Sequence, residues 1–110
     1  MLKNIRDEIM DIKDIIVQTV PVEQIYLFGS HACGTPHQDS DLDFYVVLPD
    51  DIPYREVEAL DKINMALWKH NTSPTDILVA KKSRFEYRLS ALTLENEVVE
   101  TGVLLYETLR

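Results

Sequence analysis

The chain has 110 residues, of which 45% are hydrophobic, and its nineteen Asp and Glu against eleven Lys and Arg give a net charge of -8. This composition is typical of a globular domain and is too apolar for a disordered chain. The acidity argues against a standing role as an electrostatic nucleic-acid binder, because phosphate contacts need clustered Lys and Arg. Apolar stretches are only a few residues long and the N-terminus lacks the apolar core of a signal peptide, so we predict no membrane contact. The single cysteine, Cys33, excludes an intrachain disulfide and a multi-cysteine zinc site, and we expect a cytoplasmic protein.

The first half of the chain predicts one helix and two strands. Residues 2–19 carry isoleucines at helical spacing, which we assign to the core: Ile5, Ile9, Ile12 and Ile16. Residues 24–28 are typical of a short strand that stops at Gly29. Residues 41–48 predict a second strand whose even positions form an apolar face, while the odd positions become apolar at Val47, as in a strand that is covered on both faces.

The second half predicts two helical segments and two strands. Residues 54–70 form a helix in this prediction, with core positions at Val57, Leu60, Leu67 and Trp68. Residues 75–80 predict a third strand, and after the polar residues 81–84 the segment 85–100 is helix-prone. Gly102 suits a helix C-terminus and a last short strand follows it at residues 103–106.

The order α-β-β-α-β-α-β predicts an α/β domain. No crossover helix separates the first two strands, so the sheet must contain mixed strand directions. We find neither an internal repeat nor a linker, and therefore expect a single domain over residues 1–110.

Two short motifs at the ends of adjacent strands point to phosphate chemistry. Gly29 allows a ligand to approach the backbone closely, and Ser30 offers a hydroxyl and an N–H of the kind that holds phosphate oxygens. Ten residues later, Asp41 and Asp43 lie two apart on a strand, so their carboxylates project from the same face. Such close like charges repel unless a cation separates them, and Mg²⁺ is the natural candidate. Either motif alone is usually a turn or a solvated strand end; their combination favours a site.

A third carboxylate strengthens this interpretation. Asp76 opens the third strand much as Asp43 opens the second. Three carboxylates at one sheet edge can hold two Mg²⁺ ions for phosphoryl or nucleotidyl transfer, one lowering the pKa of the attacking hydroxyl and the other binding the triphosphate. Asp76 is then either a ligand or the general base.

The string 27–30 followed by 40–43 resembles the signature of the DNA polymerase β-like nucleotidyltransferase superfamily. It is most similar to the minimal nucleotidyltransferases (MNT), whose pattern is Gly-Ser, ten residues, Asp-X-Asp. The resemblance extends over nearly the whole chain and implies a polymerase β-like fold, a small mixed sheet flanked by helices. It also implies these roles: Gly29 and Ser30 at the nucleotide phosphates, Asp41 and Asp43 as Mg²⁺ ligands, and Asp76 as a further ligand or as the activator of the acceptor hydroxyl.

The resemblance further implies a function and partners. Many such proteins are the antitoxin of a pair with a HEPN-domain toxin, and some transfer AMP from ATP to a tyrosine of that toxin. We therefore expect a Mg²⁺-dependent nucleotidyltransferase, antitoxin in type, that uses ATP or another NTP and no nucleic-acid template. Larger relatives that modify aminoglycosides supply the acceptor site from a second domain, so here a partner or a second copy of the chain would supply it.

Two alternatives stay open at this stage. Many relatives have arginines one and three residues after the serine, where this chain has His31 and Cys33. A module that neutralises a partner by binding alone, and a small-molecule nucleotidyltransferase acting as a dimer, are therefore retained. Lys81, Arg84 and Arg88 form a modest basic cluster that we interpret as solvated surface, with triphosphate contact as the minor alternative.

Overall fold

The computed structural model describes residues 5–29, 41–91 and 93–108. Its elements follow in this order: α1 (Ile5–Thr19), β1 (Gln24–Phe28), β2 (Leu42–Leu48), α2 (Glu56–Lys69), β3 (Thr75–Lys81), α3 (Lys82–Leu89), α4 (Leu94–Thr101) and β4 (Val103–Glu107). The strands form one sheet in the order β3-β2-β1-β4. β2 and β3 are parallel, whereas β1 is antiparallel to both β2 and β4. The predicted α/β class with mixed strand directions is confirmed.

The sheet is covered on both faces, and β2 shows this most clearly. Its even residues, including Phe44 and Val46, lie in a buried cluster with α1 and α2. Its odd residues Tyr45 and Val47 lie in a second buried cluster with Phe85 of α3 and with α4. The prediction of a strand apolar on both faces is therefore correct.

The isoleucine stripe of α1 packs as predicted along most of its length. Ile12 and Ile16 are fully buried, and Ile9 is partly buried against the same cluster. Ile5, the first residue of the helix, is half exposed.

Two predicted core positions of α2 are wrong. Val57 is 49% exposed and Trp68 is 79% exposed. The buried stripe of this helix instead steps by four residues through Ala59, Ile63 and Leu67. Trp68 follows Leu67 directly, and one residue turns an α-helix by about 100°, which moves the indole away from the sheet.

The segment predicted as one helix-prone stretch is two helices, α3 and α4. Two side chains stabilise the break between α3 and α4 by donating hydrogen bonds to the last carbonyl oxygens of α3. Thr93 Oγ1 donates to Arg88 O (2.8 Å), and Asn96 Nδ2 donates to Leu89 O (2.7 Å). Gly102 is the C-cap of α4, as predicted, and its N–H donates to Val98 O (2.9 Å).

None of the helices in the part of the chain that the structure describes is both long and apolar enough to cross a membrane.

Candidate active site

The register of the sheet brings two of the predicted aspartates side by side. Asp43 of β2 and Asp76 of β3 are Cα partners in the parallel pair. Because neighbouring residues in register point to the same face, both side chains project from the face that carries Tyr45 and Leu78 two residues further on. Asp43 is half-buried and Asp76 is exposed.

Asp41 lies immediately before β2, two residues from Asp43 and on the same side if the strand alternation is continued back by one step. It is exposed. The amide of Leu42 donates to Pro74 O (3.3 Å), which holds the beginnings of β2 and β3 together. The three predicted carboxylates thus belong to the same edge of the sheet, where both parallel strands begin.

Gly29 directly follows β1 and lies beside Asp43 at this end of the sheet. Its φ of +78° lies in the left-handed region, and a Cβ at this position would overlap Asp43 Oδ2. Both observations require glycine, because any other residue would be strained in the backbone and would collide with the carboxylate. The group that lies against this turn is the Asp43 carboxylate. The predicted close approach of a ligand to the Gly29 backbone stays a prediction.

Replacement of Gly29 by Ala should cost about 1–2 kcal/mol of unfolding free energy and should also displace the Asp43 carboxylate. Urea unfolding measures the first effect, and the rate of the nucleotide transfer that the resemblance implies measures the second. Asn71→Ala is the matched control, because Asn71 also has a positive φ, of 55°, but lies in the turn after α2. If both variants lost stability and transfer equally, the contact between Gly29 and Asp43 would have no part in the site.

Ser30, His31 and Cys33 lie outside the described residues, so their predicted relation to phosphate stays a prediction.

The sequence did not predict a polar network that Tyr45, Glu95 and Arg88 form. The phenol of Tyr45 donates to Glu95 Oε2 (2.7 Å), and Arg88 Nε lies 2.8 Å from Glu95 Oε1. The Arg88 N–H is not aligned for a hydrogen bond, so this contact is a close ion pair. Glu95 is only 5% exposed, which makes both partners necessary to offset the loss of hydration.

The network shifts the pKa values of its members. Burial raises the pKa of Tyr45, and the Glu95 carboxylate that accepts its hydrogen bond raises it further, so the phenol keeps its proton. Burial by itself raises the pKa of Glu95, but the Tyr45 hydrogen bond and the Arg88 guanidinium outweigh it and leave this pKa below its ordinary value.

Glu95→Gln should therefore change how stability depends on pH. A carboxyl whose folded-state pKa is lowered stabilises the protein above its unfolded-state pKa and loses this contribution as the pH falls through the folded-state pKa. At pH 7 we expect the variant to be less stable by about 2 kcal/mol. The difference should shrink as the pH is lowered below about 4.5, the ordinary glutamate value.

Urea unfolding of both proteins between pH 7 and pH 3 measures this convergence. Glu97→Gln is the control, since Glu97 is an exposed glutamate on the same helix. A difference between wild type and Glu95→Gln that stayed constant with pH would show that the Glu95 charge makes no contribution.

The aspartate carboxylates are oxygen ligands of the kind that Mg²⁺ binds. Across residues 5–29, 41–91 and 93–108, no three His, Cys, Asp or Glu side chains are already grouped to hold a metal ion. Mg²⁺, however, keeps several waters and is usually bound by one or two carboxylates together with substrate phosphates. The in-register pair Asp43 and Asp76, with Asp41 beside it, offers donors of this kind.

Aspartates gathered at one end of a sheet can hold divalent ions, which stabilise the attacking and leaving oxygens of a phosphoryl transfer. Residues 9–104 match the family model of the nucleotidyltransferase domain, and the chain therefore belongs to this family. Among curated proteins, none matches the sequence.

Solved structures support the same assignment. A protein from Sulfolobus solfataricus classed as a nucleotidyltransferase superposes with a TM-score of 0.64 at 17% identity, covering 92% of this chain and 78% of that one, which shows the fold alone. A toxin–antitoxin complex with AMP-PNP gives a TM-score of 0.56 at 28% identity, and the match covers 93% of this chain and 74% of that one. A MntA–HpeT toxin–antitoxin variant with two Asp-to-Glu substitutions gives a TM-score of 0.61 at 26% identity, and the match covers 89% of this chain and 72% of that one. The predicted resemblance to MNT-type domains and the predicted fold are confirmed.

Proposed function

We propose that this protein is a Mg²⁺-dependent nucleotidyltransferase that transfers AMP from ATP to a hydroxyl group of a partner protein, as the antitoxin of a toxin–antitoxin pair. The observation that carries the proposal is the register of Asp43 with Asp76 where the two parallel strands begin, at the point where Gly29 lies against the Asp43 carboxylate.

Each residue of this edge has a place in the reaction. Asp41 and Asp43 would hold Mg²⁺, which when bound neutralises triphosphate charge and lowers the pKa of the acceptor hydroxyl. The Gly29 turn, continued by Ser30, would receive the phosphates. Asp76 would be a further ligand or would accept the proton of the acceptor hydroxyl.

The transfer itself is an in-line displacement. The acceptor oxygen forms a bond to the α-phosphorus of ATP, the bond from that phosphorus to the β-phosphate oxygen breaks, and pyrophosphate leaves. The proton of the acceptor hydroxyl passes to the Asp76 carboxylate when Asp76 is the base. The products are a phosphodiester on the acceptor and pyrophosphate, so atoms and charges balance.

The comparisons support the nucleotide and the partner. Two structural neighbours are toxin–antitoxin complexes, and one of them contains AMP-PNP, an analogue of ATP. The other carries two Asp-to-Glu substitutions two residues apart, the same spacing as Asp41 and Asp43 here. We extend this to a HEPN-type toxin as the partner, because that is the partner of the MNT proteins that the Gly29–Ser30 and Asp41–Asp43 pattern resembles.

The test is a transfer assay with the protein, Mg²⁺, and the product of the adjacent gene as acceptor. ATP labelled at the α-phosphate should label the acceptor, whereas ATP labelled at the γ-phosphate should not, and EDTA should stop the reaction. Mass spectrometry should then find one or more nucleoside monophosphate groups on a hydroxyl side chain. Labelling from the γ-phosphate instead would identify a phosphoryl transferase and contradict the proposal.

A second candidate is a module of the same fold that neutralises its partner by binding alone. His31 and Cys33, in place of the arginines of many relatives, favour it. It predicts a stable complex with the adjacent gene product in which neither label is transferred and in which Asp41→Ala with Asp43→Ala leaves the complex intact. A small-molecule acceptor would instead show as transfer to an aminoglycoside without any protein partner.

A further inference from the structure

Helix α2 carries an apolar stripe on the side that faces away from the sheet. Val57, Met65 and Trp68 are 49%, 56% and 79% exposed. Because each residue turns an α-helix by about 100°, these three side chains and Asp61 lie within about 80° of one another, on the side opposite the buried Ile63. Trp and Met are enriched where proteins contact each other, compared with the rest of their surfaces. The outward face of α2 is therefore a candidate interface.

The stripe lies on an electrically balanced part of an acidic protein. The chain as a whole carries -8, so two copies repel each other at long range. The exposed charged residues of α2, however, are two acids and two bases: Glu58, Asp61, Lys62 and Lys69. A contact between two copies of the chain is therefore opposed less at this helix than at a surface with excess acid.

The stripe is complementary to itself when two copies of α2 pack antiparallel. A two-fold axis beside the middle of the stripe places Val57 opposite Trp68 of the second copy, so that the indole covers an apolar side chain. The same axis places Asp61 opposite Asn64 of the second copy, where the amide can donate a hydrogen bond to the carboxylate. Each of these contacts occurs twice, because the two copies exchange roles across the axis.

The two ends of α2 also match in charge in this arrangement. Glu58 near the beginning of the helix lies opposite Lys69 at the end of the second copy, whereas parallel packing would bring like charges together. Lys69 has no ion pair within the part of the chain that the structure describes. Glu58 contacts Arg55 through Oε1 (3.3 Å), but Arg55 is 80% exposed, and such exposed pairs are weak enough to exchange partners.

We propose that the outward face of α2 is a self-association interface, through which two copies of this chain form an antiparallel, two-fold symmetric dimer. The contact extends from Val57 to Trp68, which is about 17 Å of helix, so it is at the small end of specific interfaces and the dimer depends on concentration. Asp43 and Asp76 project from the sheet face that α2 does not cover. Both candidate active sites therefore stay open in the dimer.

Sedimentation equilibrium tests the self-association. In about 0.15 M salt, which screens charges more than about 8 Å apart, the mass should rise from one chain towards two as the protein is concentrated to about 0.5 mM. Trp68→Ala should weaken the association at least about tenfold. Tyr87→Ala is the matched control, because Tyr87 is an aromatic residue of α3 that is 78% exposed, and it should associate as wild type does. A wild type that stays monomeric, or a Trp68→Ala variant that associates equally well, would overturn the inference.

Charge reversal tests the antiparallel arrangement. Glu58→Lys alone and Lys69→Glu alone each place like charges at both ends of the contact, so each variant should associate about tenfold more weakly than wild type. An equimolar mixture of the two variants restores opposite charges at both ends and should associate as wild type does. If the mixture stayed monomeric while wild type dimerised, the antiparallel contact would be wrong.

A different occupant of this face would show in sedimentation with the product of the adjacent gene. If wild type were monomeric by itself and Trp68→Ala weakened the complex with that product, α2 would be the surface for the other protein and the inference would fail. Failure of the proposed function is distinguishable, since self-association is measured without nucleotide. The dissociation constant of Mg²⁺–AMP-PNP should be the same for wild type and Trp68→Ala; a change would contradict the separation of this face from the candidate site.

Discussion

Replacing Asp43 by Asn is expected to abolish nucleotide transfer, with a loss of at least about 100-fold, while leaving the fold in place. Asp43 is at the centre of the site, since Asp76 is its register partner on one side and Gly29 lies against its carboxylate on the other. The amide keeps the shape of the side chain but removes the negative charge that would hold Mg²⁺. The initial rate of label transfer from the α-phosphate, together with the thermal unfolding midpoint, measures both parts of this expectation.

Asp51→Asn is the control for this experiment. Asp51 is exposed in the turn after β2 and lies outside the candidate site, so its transfer rate should equal that of wild type. Transfer by Asp43→Asn at a rate close to that of Asp51→Asn would remove Asp43 from the reaction.

The largest loss of stability is expected from Phe44→Ala. Phe44 is fully buried in β2 within the cluster that α1 and α2 cover, and its register partner in β3 is Ile77. Removing the ring should cost about 3–5 kcal/mol through lost burial and the cavity that remains, which is a large share of the stability of a small domain. Urea unfolding followed by circular dichroism gives this value.

Trp68→Ala is the informative comparison, because the sequence pattern assigns Trp68 to the core whereas the structure exposes 79% of it. Its cost should stay within about 0.5 kcal/mol. A cost for Trp68→Ala comparable to that of Phe44→Ala would mean that the indole is buried and that the face of α2 is assigned wrongly.

Local sequence patterns were sufficient to predict most of the fold. The stripe containing Ile12 and Ile16 and the two-sided apolar run of β2 report burial directly, because alternation and helical spacing are set by backbone geometry. The errors arise where spacing alone cannot choose a face. Val57 and Trp68 are apolar at helical spacing, but the sheet lies against the stripe that contains Ala59 and Ile63.

The candidate site was predictable in part for a related reason. Asp41, Asp43 and Asp76 are each found at the start of a strand, and the parallel pairing of β2 with β3 then brings two of them into register. The pairing of Tyr45 with Glu95 could not be predicted, since fifty positions separate the two residues and only the packing of α4 on the sheet joins them. The basic cluster is exposed, as predicted for a solvated surface, with side-chain exposures of 52% for Arg84 and 42% for Arg88. The sequence did not indicate their partners, since Arg88 pairs with the buried Glu95 and Arg84 with Glu56.

A calorimetric titration of the protein with AMP-PNP in the presence and absence of Mg²⁺ tests directly whether nucleotide binds beside Asp43. We expect saturable binding of one nucleotide per chain that requires Mg²⁺ and is lost in Asp43→Asn. Absence of binding to the wild type, or binding that Asp43→Asn leaves unchanged, would contradict the claim that this edge of the sheet is the nucleotide site.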